Sequence, residues 1–213
     1  MHWRASDAPW VLADVGDNPG GGGGGNTVDL LKALLAAQAQ GVLLAVFTDP
    51  ALAQEAHALG GGAAFEAHFN RTEQLPFAQT FKHAAKVQAL SDGHFVGRRG
   101  LLHGSPSSMG LSALLEMGGV RVVVISLRQQ LVDPAQLDAL GIDLASVRTL
   151  VAKSRGHYRA ALEGFTLTER MIDVDCPGLT TPNLKSLPWT RMPRPVHPMD
   201  EDTQWSWSAT VDV

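Results

Sequence analysis

The sequence predicts an α/β protein: a three-layer or Rossmann-like mixed sheet with an inserted antiparallel β section. Three observations predict it. A strand-like segment, Val11–Val15, and a continuous apolar run, Val42–Phe47, are separated by a segment of helical period, as in a β-α-β unit built on a buried parallel strand. Asp-Pro pairs at 49–50 and 133–134 have the form of helix starts, with Asp as the cap and Pro in the first turn. Between them the rhythm breaks into short strand-like runs punctuated by Gly.

Taken in order, Val11 to Val15 reads as the first strand. Asn26 is placed to cap the next helix, with Asp29 in its first turn and Val28, Leu31, Leu34 and Leu35 on one face. Val42–Phe47 is the second strand, and a helix from Asp49-Pro50 ends at Gly60 to Gly62. In the middle, Ala84 to Leu90, His94 to Arg98 and Leu101 to His103 read as short strands, with Ser91-Asp92-Gly93 as a turn. Leu111–Met117 and Val120–Leu127 form a hairpin across Gly118-Gly119, and Ser105–Gly110 reads as a flexible loop. A capped helix starts at Asp133-Pro134 and closes at Gly141. Thr149–Lys153 is a strand, Ser154 caps a helix to Glu163, and Met171–Val174 is the last strand. The expected organisation is an N-terminal extension over 1–9, an α/β domain over 10–180 and a Pro-rich extended tail over 181–213, in which Trp205 and Trp207 are able to pack.

Composition narrows the function classes. With 45% hydrophobic and 18% charged residues the chain is too apolar for disorder, and its 213 residues suffice for a substantial core. A net charge of −4 without a basic face argues against nucleic acid. No apolar run is long enough to span a bilayer, and the N-terminus lacks the apolar core of a signal peptide, so a cytoplasmic location is expected. One cysteine, Cys176, excludes an internal disulfide and a cysteine-based zinc cluster; it reads as a small buried thiol. The histidines are scattered, with no His-Glu-x-x-His and no His-x-His, so no metal site is expected within the chain.

The most distinctive stretch is Asp14-Val-Gly-Asp17-Asn18-Pro19-Gly20-Gly21-Gly22, which continues in glycine to Gly25 and then Asn26. Between a strand and a helix start, glycine amides are able to cradle an anion. Asp17 and Asn18 serve either a substrate or the turn itself. A Gly-x-Gly-x-x-Gly spacing is contained trivially in six glycines, and no P-loop Lys-Ser/Thr follows. A second cluster, Lys153-Ser154-Arg155-Gly156-His157, lies at the carboxyl end of a strand, where open α/β sheets place ligands. At another strand end Arg128 offers a carboxylate clamp.

Together these segments carry a resemblance. Asp14-x-x-Asp17-Asn-Pro-Gly-Gly-Gly, Leu140-Gly-Ile-Asp143, Lys153-Ser-x-x-His157-Tyr158, Asp175-Cys-Pro-Gly178 and Pro193-Arg-Pro195-Val-His-Pro198 occur in this order. The chain resembles the C-terminal domain of the MlrC-like family, relatives of the linearised-microcystin peptidase, over about residues 10 to 200. It departs from that pattern at Asn26, after the longer glycine run, at Tyr158, and through residues 64–110.

The resemblance implies half of a two-domain zinc metallopeptidase. The metal ligands belong to an N-terminal domain outside the resemblance, and this chain by itself is expected to be inactive. Asp17, Asn18, Gly20, Gly21, Gly22, Arg128, Lys153, Ser154 and His157 would then form a substrate-binding wall for a peptide or other small molecule. The N-terminal metal-binding domain would be its partner and the zinc of the complete enzyme its cofactor. If so, the domain should expose an apolar patch where the partner packs. The closeness of Met1 to the first strand fits a piece of a longer product. The competing reading is a free-standing anion- or nucleotide-binding module without catalysis.

Overall fold

The computed structural model describes residues 8–204. Most of the predicted N-terminal extension, together with Trp205 and Trp207, lies outside them. The chain divides into two compact units between Thr181 and Pro182.

The first unit is built on an eight-stranded mixed sheet. Its strands are β1 (Trp10–Asp14), β2 (Val42–Thr48), β3 (Ala64–Phe69), β4 (Phe81–Ser91), β7 (Ser112–Met117), β8 (Val120–Ile125), β9 (Thr149–Ala152) and β10 (Met171–Val174). The order across the sheet is β10-β1-β9-β2-β8-β7-β4-β3. From β10 to β8 neighbouring strands are parallel; β8-β7, β7-β4 and β4-β3 are antiparallel. The antiparallel section is therefore inserted in the chain between parallel strands β2 and β8. Two further strands, β5 (His94–Val96) and β6 (Pro106–Ser108), pair in a small antiparallel sheet of their own.

Helices cover both faces. The helices α1 (Asp29–Ala36) and α2 (Pro50–Leu59) bury Leu31, Leu52, Ala53 and Ala56 against one face. The short helices α3 (Ala135–Asp138) and α4 (His157–Ala161) bury Leu137, Tyr158 and Ala161 against the other. The apolar run of β2 follows from this, because a strand covered on both faces has no solvent side. A bulge at Val46 puts Ala45 and Val46 on one face and returns Phe47 to the α1 face.

Asp49 caps α2 as expected: one carboxylate oxygen accepts from Leu52 N at 3.0 Å and the other from Asn70 N at 2.7 Å. Several expectations are corrected. Asn26 does not cap α1, whose cap is Val28; the Asn26 carbonyl instead accepts from Asn70 Nδ2. The strand β3 lies where no element was expected. Residues Gly100–Leu102 form a 3-10 turn instead of a strand, and β6 occupies part of the expected loop. The Ser91-Asp92-Gly93 turn leads from β4 into the small sheet without pairing β4 to β5. The last helix begins at His157, not at Ser154.

The second unit contains no strand among its described residues. It is a series of turns, in which Trp189 Nε1 donates to Leu184 O and the Arg194 guanidinium pairs with Asp200.

Candidate functional site

Because β10, β1, β9, β2 and β8 run the same way, their carboxyl ends meet along one edge of the sheet. Asp14, Thr48, Ile125, Ala152 and Val174 end these strands, and the glycine loop, Arg128, Lys153-Ser154 and Asp175–Gly178 follow directly. This is the edge at which open α/β sheets bind ligands.

Lys153 is the keystone of the loop. Its side chain is 1% exposed. Nζ donates to Asp14 Oδ2 at 3.0 Å, Asp17 Oδ2 at 2.8 Å, Thr27 O at 2.9 Å and Thr27 Oγ1 at 3.0 Å. It also lies 5.7 Å from the centre of the Phe47 ring, which the β2 bulge turned to this face. Asp17 in turn accepts from the backbone: Gly25 N at 2.8 Å and Thr27 N at 2.7 Å. The glycine loop is thus a closed arch with both feet tied to one buried carboxylate.

Burial pulls Asp17 upward, but the Lys153 charge and the hydrogen bonds from Lys153, Thr27 and Gly25 outweigh it and hold the carboxyl below its usual range. At Asp14 burial wins over the same ammonium, so that carboxyl sits above its usual range, and its Oδ1 has no hydrogen-bond partner. Lys153, despite complete burial, is held above the usual lysine range by the two aspartates.

The loop does not build the expected anion cradle. Gly20 N donates to Asn18 Oδ1, Gly21 N and Gly23 N to Asn18 O, Gly22 N to Pro19 O, and Gly25 N to Asp17. These five amides stabilise the arch itself, so Asn18 works as a turn residue. What Gly20, Gly21 and Gly22 present to solvent is a ridge without side chains.

Ser154 points away from Lys153, in keeping with strand alternation carried past the end of β9. Its hydroxyl donates to Gln130 Oε1 at 2.9 Å, and Gln130 Nε2 lies 2.7 Å from His157 Nδ1. With that nitrogen accepting from the amide, the neutral imidazole carries its proton on Nε2, away from Gln130. One glutamine therefore joins the two polar members of Lys-Ser-x-x-His. The same amide lies on the glycine arch: a Cβ on Gly20 would stand 2.5 Å from Gln130 Nε2. Arg128 donates from Nη1 to Gly23 O at 3.1 Å and so braces the arch from outside.

The Asp175-Cys-Pro-Gly178 segment has a packing reason. A Cβ on Gly16 would lie 2.0 Å from Cys176 O, and one on Gly178 would lie 2.0 Å from Gly16 O. The chains leaving β1 and β10 cross backbone to backbone, which only glycine permits. Thr180 locks the crossing, accepting from Asn18 N and donating to Val15 O, each at 2.9 Å. Burial pushes the Cys176 thiol up to about 12, so it is an unreactive filler.

All nine residues expected at the site thus lie on this one edge, in two environments. Asp17, Lys153 and Ser154 are buried and satisfied by protein partners. Gly20, Gly21, Gly22, Arg128 and His157 face solvent, with Asn18 half-buried between. Sequence reasoning missed Gln130, Thr27 and Thr180.

The match to known proteins settles the family. The family described as MlrC C-terminus matches residues 12–191. The chain belongs to the MlrC C-terminus family. Microcystinase C of Sphingomonas sp. is 26% identical to it over 155 residues, 73% of this chain and 30% of that protein. A crystal structure from Mesorhizobium sp. BNC1, described as a candidate metallopeptidase, superposes with a TM-score of 0.79 at 26% identity. It covers 95% of this chain and 40% of that one. The MlrC C-terminal domain seen here therefore spans less than half the length of either relative.

Among the described residues of this domain no group of three or more His, Cys, Asp or Glu is placed to hold a metal. Asp14 and Asp17 already enclose the Lys153 ammonium, which fills the place a cation would take, so this pair does not fit a zinc ion. Among the same residues no helix is long and apolar enough to cross a membrane.

Proposed function

We propose that this chain is the substrate-binding half of an MlrC-like zinc metallopeptidase. In this reading the metal is held by an N-terminal domain outside the chain, and the two meet over the glycine ridge. The observation that carries the reading is the construction of that ridge: a loop within the family match, stripped of side chains, is locked from beneath by Lys153 and Asp17 at the edge where open α/β sheets bind ligands. Such rigidity is what a surface needs to fix a peptide against a reactive centre.

When bound in the complete enzyme, zinc would supply Lewis-acid polarisation and a water nucleophile. This chain's own residues would do the positioning. Gly20, Gly21 and Gly22 admit a peptide backbone closely, His157 offers its Nε2–H to a substrate oxygen, and Arg128 offers a cation to a carboxylate. Asn18, Asp17, Lys153 and Ser154 hold these groups in place without touching substrate. Exposed Leu75, Phe77, Leu127 and Leu179 supply apolar surface for the partner domain. A cytoplasmic setting suits the unpaired thiol of Cys176. The reading as a nucleotide module loses its support with the loop amides that are turned inward.

The test is to fuse the chain to the N-terminal portion of a full-length relative and to compare fusion and chain for zinc content and peptide hydrolysis. The proposal expects stoichiometric zinc and hydrolysis from the fusion and neither from the chain. Zinc binding with hydrolysis by the chain alone, or a zinc-loaded fusion that cleaves no peptide, would overturn it.

A further inference from the structure

Beside the glycine ridge lies a cleft of about 310 Å³. Pro19, Leu101, Leu102 and Val132 give it aliphatic walls, and Arg128 and Gln130 are among the polar residues that also line it. We propose that this cleft binds the free carboxylate end of a peptide whose last side chain is aliphatic. This deepens, and rests on, the reading of the edge as a peptidase's substrate wall.

Charge indicates the anion. Arg128 is held by the carbonyl of Gly23 and, more loosely, that of Gly22, and it forms no ion pair with an acid among the described residues. A guanidinium has five N–H donors, and backbone carbonyls engage only one nitrogen here. A positioned, unpaired Arg in a chain of net charge −4 is suited to a bidentate carboxylate.

The walls indicate the side chain. Among the described residues no aromatic ring lines the cleft, so they offer nothing on which a nucleobase would stack. Leu101 is 68% exposed, and covering it with an aliphatic group removes apolar surface from water. The volume is at the small end of ligand pockets, suited to one terminal residue.

Both walls are fixed before any ligand arrives. Asp133 Oδ2 accepts from Arg98 N and Arg99 N, each at 2.6 Å, which anchors the turn carrying Leu101 and Leu102. Gln136 Oε1 accepts from Val132 N at 2.8 Å and Asp133 N at 3.0 Å, and its Nε2 donates to Gln130 O at 3.2 Å. Asp133 and Gln136 are fully buried, so a pair of side chains from one Asp-Pro-Ala-Gln segment sets the width of the cleft. Nothing in the proposed peptide hydrolysis requires that pair; a preformed pocket does.

The test titrates the 213-residue protein, followed by amide NMR, with N-acetyl-leucine, N-acetyl-leucinamide and acetate. N-acetyl-leucine is expected to shift Gly20, Gly21, Leu101, Leu102 and Arg128, and to bind at least tenfold more tightly than either comparison compound. Arg128→Gln should abolish the preference over the amide, and Leu101→Ser should narrow the preference over acetate, both with unfolding midpoints near that of the parent. Equal binding of acid and amide, absence of shifts at these positions, or a preference that survives Arg128→Gln would overturn the proposal. Its fate is separable from that of the peptidase reading. A fusion that holds zinc but cleaves nothing, with the carboxylate preference intact, sinks the hydrolase alone. A hydrolysing fusion whose chain lacks the preference sinks the cleft alone.

Discussion

The two sides of the glycine arch differ in kind. Towards α1 it rests on Lys153, where four donor contacts and two aspartates are sealed from water. Towards α4 it meets Gln130, whose amide links buried Ser154 to solvent-facing His157 beside an open cleft. Lys153 and Ser154 are adjacent in sequence, yet each serves a different side. Charge buried away from solvent demands compensation, and Lys153 and Asp17 spend theirs on each other and on the loop, so the first side is rigid and, although Asp14 Oδ1 has no hydrogen-bond partner, presents no charge to a ligand. The second retains an imidazole edge and a guanidinium for one. The difference teaches that presence in a family motif does not make a residue a contact residue.

Breaking the dry side should have the largest effect. Lys153→Met leaves Asp14 and Asp17 buried together and should cost about 3–5 kcal/mol, read from urea unfolding. A loss below about 1 kcal/mol would mean that the aspartates find water in its place.

Acid separates the two carboxylates on that same side. Asp17, held below its usual range, stabilises the fold above the unfolded value, and that contribution is lost as pH falls through its lowered folded value. Asp14, held above 3.8, does the reverse: the fold gains as it takes up its proton. The cost of Asp17→Asn should therefore shrink on acidification, while that of Asp14→Asn grows as pH falls through the raised value towards 3.8. Urea unfolding of the three proteins across the acid range checks the signs; parallel curves would refute them.

On the open side, Gln130→Leu removes the acceptor of the buried Ser154 hydroxyl and should cost about 1–3 kcal/mol. It also frees Gly20 from its packing partner. His157→Ala should be smallest in stability, within about 0.5 kcal/mol, because the ring is exposed. In the fusion it should nonetheless reduce peptide hydrolysis; unchanged kcat/KM would remove His157 from the substrate wall.

Much of the fold was legible because a buried parallel strand leaves a continuous apolar run, as β2 does; β1, β9 and β10 showed as shorter apolar stretches, and the β7–β8 hairpin through its glycine pair. The strand β3 was not, because its pattern mixes exposed Ala64 and Glu66 with buried Ala67 and Phe69 between polar flanks. Helix caps misled where a polar side chain had a distant partner. Ser154 reaches Gln130, and the Asn26 amide donates to Glu73 Oε2 at 3.4 Å; neither contact leaves a trace in local sequence. At the site, Asp17 and Lys153 were identifiable as residues, but the direction each faces depends on strand alternation and on the β2 bulge. Gln130 was invisible, since nothing in Leu127-Arg-Gln-Gln-Leu131 marks the second glutamine as the hub of a relay.

The central claim is that the arch is anchored from its dry side as part of the global fold. Native-state hydrogen exchange at Gly25 and Thr27, the two amides that donate to Asp17, tests it most directly. The account predicts that both exchange only through global unfolding, with the free energy measured by urea, and that they keep this protection when the open side is altered by His157→Ala. Rapid exchange of either amide, insensitive to denaturant, would show an arch that opens by itself and would contradict the account.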